Sequence, residues 1–270
     1  MSIFYDTHAH LSYPDFQDEL PQVIERAQAA GITRLISIAT DFLSSQRTLQ
    51  IAEQFPNVFA VVGWHPSDAA DAPADIRSSL RELAKHPKVV ALGETGLDYY
   101  RLPSKNAGLT PAHDETYEAK QAALFRQHLE VAAELGLNCV IHQRDSLEDT
   151  LTVFEPFANR VRAVFHCFAN DAATMRQIVA MGSLVSFTGI LTFKNGQNIR
   201  DTLAATPLDQ FMLETDSPFL APVPYRGKRC EPAYVKEISQ VAAQVKGCSL
   251  EALSAATCAT ADHFFRRLSK

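Results

Sequence analysis

The sequence predicts a (β/α)8 (TIM) barrel with additional C-terminal helices. Three observations lead there. Short apolar runs alternate with amphipathic helical stretches, about eight times over roughly 250 residues, the length and repeat of such a barrel. Several runs are apolar at nearly every position, as strands of a parallel sheet are when both faces are covered. Residues with reactive side chains recur just after the runs, where a barrel gathers its chemistry. An open doubly wound sheet is the rival, but no glycine-rich phosphate fingerprint follows a strand.

The expected strands lie at Ile3-Phe4-Tyr5, Arg34 to Ala39, Val58 to Val62, Val89 to Leu92, Cys139 to Ile141, Val161 to Phe165, Ser183 to Phe187 and Phe211 to Leu213. Between them, Leu20-Pro21 opens a helix with an inward stripe of Val23, Ile24 and Ala27, closed by Gly31. A second runs through Leu124, Leu129, Val131, Ala132 and Leu135, with Gly136 as its stop, and a third is set by Met175, Ile178, Val179 and Met181 before Gly182. Two later stretches, Pro232 to Val245 and Leu250 to Leu268, are expected to pack outside the barrel. Arg101 to Thr116 contains Pro103, Gly108 and Pro111 and lacks periodicity, so it reads as a long loop, either a solvated insertion or a substrate-contacting lid.

The chain has 270 residues, 46% of them hydrophobic, enough for one large core, and residues 1–270 are expected to form a single domain. No segment has the apolar length to cross a bilayer, so no membrane partner is expected. The start of the chain has no basic region leading into an apolar core. The five cysteines (Cys139, Cys167, Cys230, Cys248, Cys258) are scattered and unpaired in pattern. A reduced, cytoplasmic protein is expected, with a monomer favoured. A net charge of −6 argues against coating long nucleic acids, which needs many neutralised phosphates. It leaves open an enzyme that takes one phosphodiester at a time.

The most telling segment is Asp6-Thr7-His8-Ala9-His10. Side chains two apart on a strand point to the same side, so His8 and His10 can reach one point in space. Later strands end in Gly63-Trp64-His65-Pro66, in Gly93-Glu94-Thr95-Gly96-Leu97-Asp98, in His142-Gln143-Arg144, in His166-Cys167-Phe168 and in Glu214-Thr215-Asp216-Ser217-Pro218. Singly, each histidine reads as a hydrogen-bonded core residue, Glu94 as a helix-start carboxylate and Asp216 as an N-cap. Together they put His8, His10, His142, His166, Glu94 and Asp216 at equivalent ends of different strands. Imidazole and carboxylate are ligands for transition metals, with Mg an option where carboxylate and water dominate. Six ligands are too many for one catalytic ion that must stay open, so two divalent ions (Mg, Mn or Zn) are expected. His8, His10 and Asp216 come from the first and last strands, which adjoin on closure, and are expected to hold one ion. His142 and His166 should hold the other, with Glu94 bridging.

In chain order, Asp-Thr-His-x-His, Gly-x-His-Pro, Gly-Glu-Thr-Gly-Leu-Asp-Tyr-Tyr, Ile-His-x-Arg-Asp, His-Cys-Phe, Ser-Phe-Thr-Gly and Glu-Thr-Asp-Ser-Pro-x-Leu-Ala-Pro resemble the TatD family of metal-dependent hydrolases, over about residues 3–232. The resemblance implies a (β/α)8 barrel, a dinuclear divalent-metal site and deoxyribonuclease activity, often at a DNA 3′ end. His8, His10, Glu94, His142, His166 and Asp216 fall on the family's metal-ligand positions. Cys230, the longer Arg101–Thr116 stretch and Thr257 to Ala261 depart from the family pattern, and none touches a ligand.

The chemistry expected is metal-assisted phosphodiester hydrolysis, with Asp216 as general base, Glu94 as bridge and His65 contacting a phosphate oxygen or assisting the leaving group. Arg144, Arg226 and Lys228 are expected to bind substrate, within a rim that also holds Arg101, Lys105, Lys194 and Arg229. Trp64, Tyr99, Tyr100, Phe168, Phe193 and Tyr225 are candidates for base stacking or plain packing. The expected partner is DNA, single-stranded or end-frayed. Hydrolysis of a lactone, cyclic amide or phosphotriester is the alternative, since the same ions polarise those groups too.

Overall fold

A computed structural model describes residues 2–106, 108 and 110–268. Eight strands pair in sequential order, all parallel. They are β1 (Phe4–Ala9), β2 (Ile32–Ile38), β3 (Val58–Val62), β4 (Val89–Asp98), β5 (Cys139–Arg144), β6 (Ala163–Phe165), β7 (Leu184–Phe187) and β8 (Phe211–Leu213). The helices are α1 (Leu20–Ala29), α2 (Phe42–Gln54), α3 (Arg77–Leu83), α4 (Pro103–Asn106), α5 (Pro111–Leu135), α6 (Leu147–Phe154), α7 (Ala172–Ala180), α8 (Gln197–Ala205), α9 (Val235–Lys246) and α10 (Leu250–Phe264). The TIM-barrel expectation holds, and each expected strand is present with ends moved by a few residues.

Closure is made beyond β8. A parallel bridge joins Ala9 to Ser217, the Asp216 N–H donates to the His8 carbonyl at 2.9 Å, and the His10 N–H donates to the Ser217 carbonyl at 2.8 Å. Asp6 reinforces the seam from below. Its buried carboxyl accepts from the Thr215 N–H at 2.9 Å and the Thr215 hydroxyl at 2.5 Å, and burial pushes its pKa up to about 8.

Two apolar layers follow the period of two along the strands, except on β4, where Val90 and Ala91 both belong to the inner cluster and the register against β3 shifts. Cys139, Ile141, Phe211 and Leu213 face outward and pack with the helices. Val140 and Met212, between them, join Tyr5, Ile36, Phe59, Ala91, Val164 and Leu184 in a second cluster. All eight strands contribute to that cluster, so it fills the barrel interior.

The last helix departs from expectation. Cys258, Ala261 and Phe264 of α10, with Phe265 and Leu268 beyond it, belong to the interior cluster. The helix therefore plugs the N-terminal mouth of the barrel, whereas α9 packs outside, as expected. Its apolar stripe told only that α10 has a buried face. The open ring of inward side chains below Tyr5 and Val140 is what that face covers.

The Arg101–Thr116 stretch is less irregular than expected. It holds α4 and the first turns of α5, and Ser104 N–H donates to Asp114 at 2.8 Å. Ala107 and Leu109 lie outside the described residues. All five cysteines are free thiols.

Candidate metal centre

Residues from β1 and the β8 seam converge first. The Nε2 atoms of His8 and His10 stand 3.3 Å apart. Asp216 Oδ1 lies 3.6 Å from His8 Nε2 and 3.4 Å from His10 Nε2. Asp216 sits in the left-handed backbone region (φ 56°), which turns its carboxylate back over the barrel mouth.

Glu94, buried on β4, joins this group to another. Its Oε2 is 3.3 Å from His8 Nε2 and 3.7 Å from His10 Nε2. Its Oε1 is 2.9 Å from His142 Nδ1, 2.8 Å from His166 Nε2 and 3.2 Å from His65 Nε2. His142 Nδ1 and His166 Nε2 are 3.2 Å apart. The register of β4 against β5 depends on Gly96: a Cβ there would fall 2.0 Å from the His142 carbonyl oxygen, and its φ of 131° suits glycine alone. Donor groups compatible with an ion form as His8, His10 and Asp216, as His8, Glu94 and His166, and as His65, Glu94 and His142. The six expected ligands are thus brought together, and His65 stands closer to them than the sequence suggested.

For His10, His142 and His65 the partner of the far nitrogen decides which tautomer faces the cage, whereas His8 Nδ1 has no hydrogen-bond partner. His10 Nδ1 meets the Ile38 carbonyl at 3.2 Å, which can only accept, so Nε2 carries the lone pair. His142 Nε2 meets Asp98 Oδ2 at 3.2 Å, leaving the Nδ1 lone pair toward Glu94. His166 Nδ1 faces Glu214 Oε1 at 3.4 Å. Glu214 is itself held by the Cys167 N–H at 2.8 Å and the Ser186 hydroxyl at 2.6 Å. His65 is the reverse. Its Nδ1 accepts from the Ser67 N–H at 3.0 Å, so the neutral ring presents an N–H, not a lone pair, from Nε2.

The cage calls for positive charge. Burial alone would raise the Glu94 carboxyl, but His166, His65 and His8 and the His142 hydrogen bond outweigh it and hold it well below the usual carboxylate range. Burial opposes protonation of His166, yet Glu94 and Glu214 lift it well above an ordinary histidine. Burial acts against Asp216 ionisation too, and His10 and its neighbours keep the carboxyl low. His65 is pushed down to about 4 by burial, against the pull of Glu94. Glu94 Oε2, fully buried, has no hydrogen-bond partner. A buried carboxylate oxygen without a donor, beside the Nε2 atoms of His8 and His10, is a set that divalent cations fit.

Comparison with known proteins agrees with this chemistry. The sequence profile of the family described as TatD related DNase matches residues 5–266. The chain belongs to this family. It is 36% identical over 265 residues to the uncharacterized metal-dependent hydrolase YabD of Bacillus subtilis, covering 98% of this chain and 99% of that protein. It is 32% identical over 268 residues to a protein of Erwinia amylovora named 3′-5′ ssDNA/RNA exonuclease TatD, covering 97% and 99%. Among solved structures, the TatD homolog YJJV of Escherichia coli K12 superposes with a TM-score of 0.87 at 24% identity, covering 97% of this chain and 98% of that one, a likeness of fold. As a member of this family of metal-dependent hydrolases, the chain is a hydrolytic enzyme.

The rim differs from expectation in detail. A cavity of about 560 Å³ opens above the cage, and Arg101 and Arg144 line it. Arg226 and Lys228 are not among its lining residues. Arg226 lies over the Phe193 ring at 3.8 Å and donates to the Ala221 carbonyl at 3.2 Å, while Lys228 is exposed. Their segment, Ala221 to Arg229, packs against the loops that follow β7 and β1: the Val223 N–H donates to Thr192 and Arg229 donates to the Asp15 carbonyl. The aromatic candidates are engaged elsewhere. Tyr225 stacks on Tyr234, Trp64 donates to the Asp68 carbonyl, Tyr99 donates to Asp149, and Phe168 is buried. Tyr100 is covered by the Arg144 guanidinium at 3.7 Å.

Sequence reasoning missed three participants. Asp98 orients His142, and its Oδ1 accepts the Tyr100 and Arg101 N–H groups. His128 of α5 accepts the Trp64 N–H at 3.0 Å, and its Nδ1 meets the Leu124 carbonyl at 2.8 Å, fixing the turn before His65. Phe219, half exposed, lines the cavity. Asp98 had a signal, being in phase with Glu94 and Gly96 along the strand. His128 sits within a helical pattern and had none.

Proposed function

We propose that this chain hydrolyses phosphodiester bonds of DNA, single-stranded or end-frayed, removing nucleotides from the 3′ end with two divalent ions (Mg, Mn or Zn). One observation carries the reading: the buried carboxylate of Glu94 turns its two oxygens to two separate sets of imidazoles. His8, His10 and Asp216 would hold one ion, His142 and His166 the other, and Glu94 would bridge them. Such ions, when bound, supply polarisation of a phosphoryl oxygen and acidify water at the site toward neutrality.

The chain's own groups do the rest. Asp216, held ionised, accepts the proton of the attacking water. His65 is a hydrogen-bond donor and not a ligand, because the Ser67 amide fixes its proton on Nε2. Its one N–H donates to Glu94 Oε1, and in the reaction that N–H would turn to a phosphoryl or leaving oxygen. Arg101 and Arg144 neutralise flanking phosphates from the cavity wall. A relative of the same family named as a 3′-5′ ssDNA/RNA exonuclease supports the polarity.

The test is a 5′-labelled single-stranded oligonucleotide incubated with a series of divalent metals. The expected result is stepwise shortening from the 3′ end, abolished in Asp216→Asn and Glu94→Gln. Undiminished shortening by either variant, or turnover confined to lactones, cyclic amides or phosphotriesters, overturns the reading.

A further inference from the structure

Phe219 is an anomaly at the mouth of the barrel. A phenylalanine normally turns into the core, yet this one is 51% exposed and lines the cavity above the metal donors. Its neighbours meet it edge to face: the His10 ring at 6.2 Å and 68°, and the Tyr13 ring at 6.1 Å and 82°. No described ring or guanidinium lies flat on it, in contrast to Tyr100 under Arg144 and Phe193 under Arg226.

The backbone around Phe219 is held against its own preference. Asp216 and Leu220 are both non-glycine residues in the left-handed region, with φ of 56° and 55°. Each such residue costs about 1 kcal/mol or more. Four contacts keep the turn. The Phe219 N–H donates to the Asp216 carbonyl at 2.9 Å, Cys230 N–H donates to the Pro218 carbonyl at 2.9 Å, and Asp216 N–H is tied to β1. The Leu220 carbonyl occupies the space of an absent side chain, since a Cβ on Gly189 would fall 2.2 Å from it. One rigid turn thus carries both a proposed metal ligand and an uncovered aromatic face, three residues apart.

We infer that Phe219, with Tyr13 and His10 beside it, forms a stacking subsite for the nucleobase of the nucleotide whose phosphodiester lies in the metal centre. The inference rests on the nuclease reading and names what that site grips besides phosphate. An acidic chain gains little from long-range attraction to a polyanion, whereas stacking is insensitive to net charge. Every base offers a π-face, so such a subsite accepts any sequence.

The test compares two oligonucleotides that differ only in whether the 3′-terminal residue carries a base or is abasic. The metal-loaded wild type should favour the base-bearing end about tenfold in KM, with kcat little changed. In Phe219→Ala that preference should fall to about one, and Phe219→Tyr should restore it. A tenfold preference retained by Phe219→Ala overturns the subsite. If neither oligonucleotide is cut, the nuclease reading fails, and the subsite is read instead by binding. There, wild type should hold deoxyadenosine monophosphate more tightly than deoxyribose 5-phosphate and Phe219→Ala should not; equal affinity for the two in wild type overturns it.

Discussion

The two mouths of the barrel are built on opposite rules. At the N-terminal mouth, Phe264, Phe265, Ala261 and Cys258 close an interior to which every strand contributes. Two polar side chains there reach across to backbone: Asn138 Nδ2 donates to the Phe264 carbonyl at 2.6 Å, and Arg267 donates to the Ala84 and Val89 carbonyls at 3.0 and 2.9 Å. At the C-terminal mouth, Glu94 Oε2, His8 Nδ1 and Ser217 Oγ are buried without hydrogen-bond partners. Unmet polar groups are costly, and a protein retains them where a ligand completes them. The contrast teaches that one end of this barrel holds the fold and the other end spends that stability on a cage of like-acting donors.

The sharpest way to break the contrast is to move a substitution from one mouth to the other. Asp216→Asn should lower kcat on single-stranded DNA about a thousandfold while the thermal midpoint of the metal-free protein changes little. Parallel rate and melting measurements check both halves. Phe264→Ala should do the opposite, costing about 4 kcal/mol in a denaturant titration by opening a cavity in the plug, with the rate per folded molecule preserved. A large activity loss in the folded Phe264 variant would erase the division of labour.

The third prediction concerns His128, which burial lowers to about 4. An unfolded chain takes up a proton at this ring near pH 6.5, while the folded protein resists until about pH 4. The contribution is therefore whole above pH 6.5 and is lost as the pH falls toward 4, by up to about 3 kcal/mol. His128→Gln should flatten the pH dependence of stability over that window, whatever its effect on absolute stability. The smallest effect is at His65. His65→Gln should reduce kcat about tenfold to a hundredfold while metal analysis still finds the wild-type number of ions per chain, as expected of a donor. Loss of an ion would make His65 a ligand.

The sequence spoke clearly wherever polarity broke an apolar run. His8, Glu94, His142, His166 and Asp216 each interrupt or end a strand, and barrel topology alone gathers such residues. It was silent where the meaning of a residue lies in its partner. The stretches of α9 and α10 both read as outer helices, and nothing in the spacing of α10 tells a plug from a flank. Arg226 and Lys228 follow a strand as Arg144 does, yet only Arg144 reaches the cavity. Phe219 follows Pro218 in the motif that carries Asp216, and nothing in its position tells an exposed ring from a packed one. Tautomers are invisible too: His65 and His10 are the same letter, and a serine amide or an isoleucine carbonyl behind the ring separates them.

The seam between Ala9 and Ser217 has a consequence for biosynthesis. The cage draws on the first strand and on the residues just past the eighth, so a nascent chain still short of residue 216 has no complete pocket to load. On the two-ion reading, the set of His8, His10 and Asp216 would form only when the barrel closes, after most of the polypeptide has left the ribosome, so an ion held there would report a closed barrel.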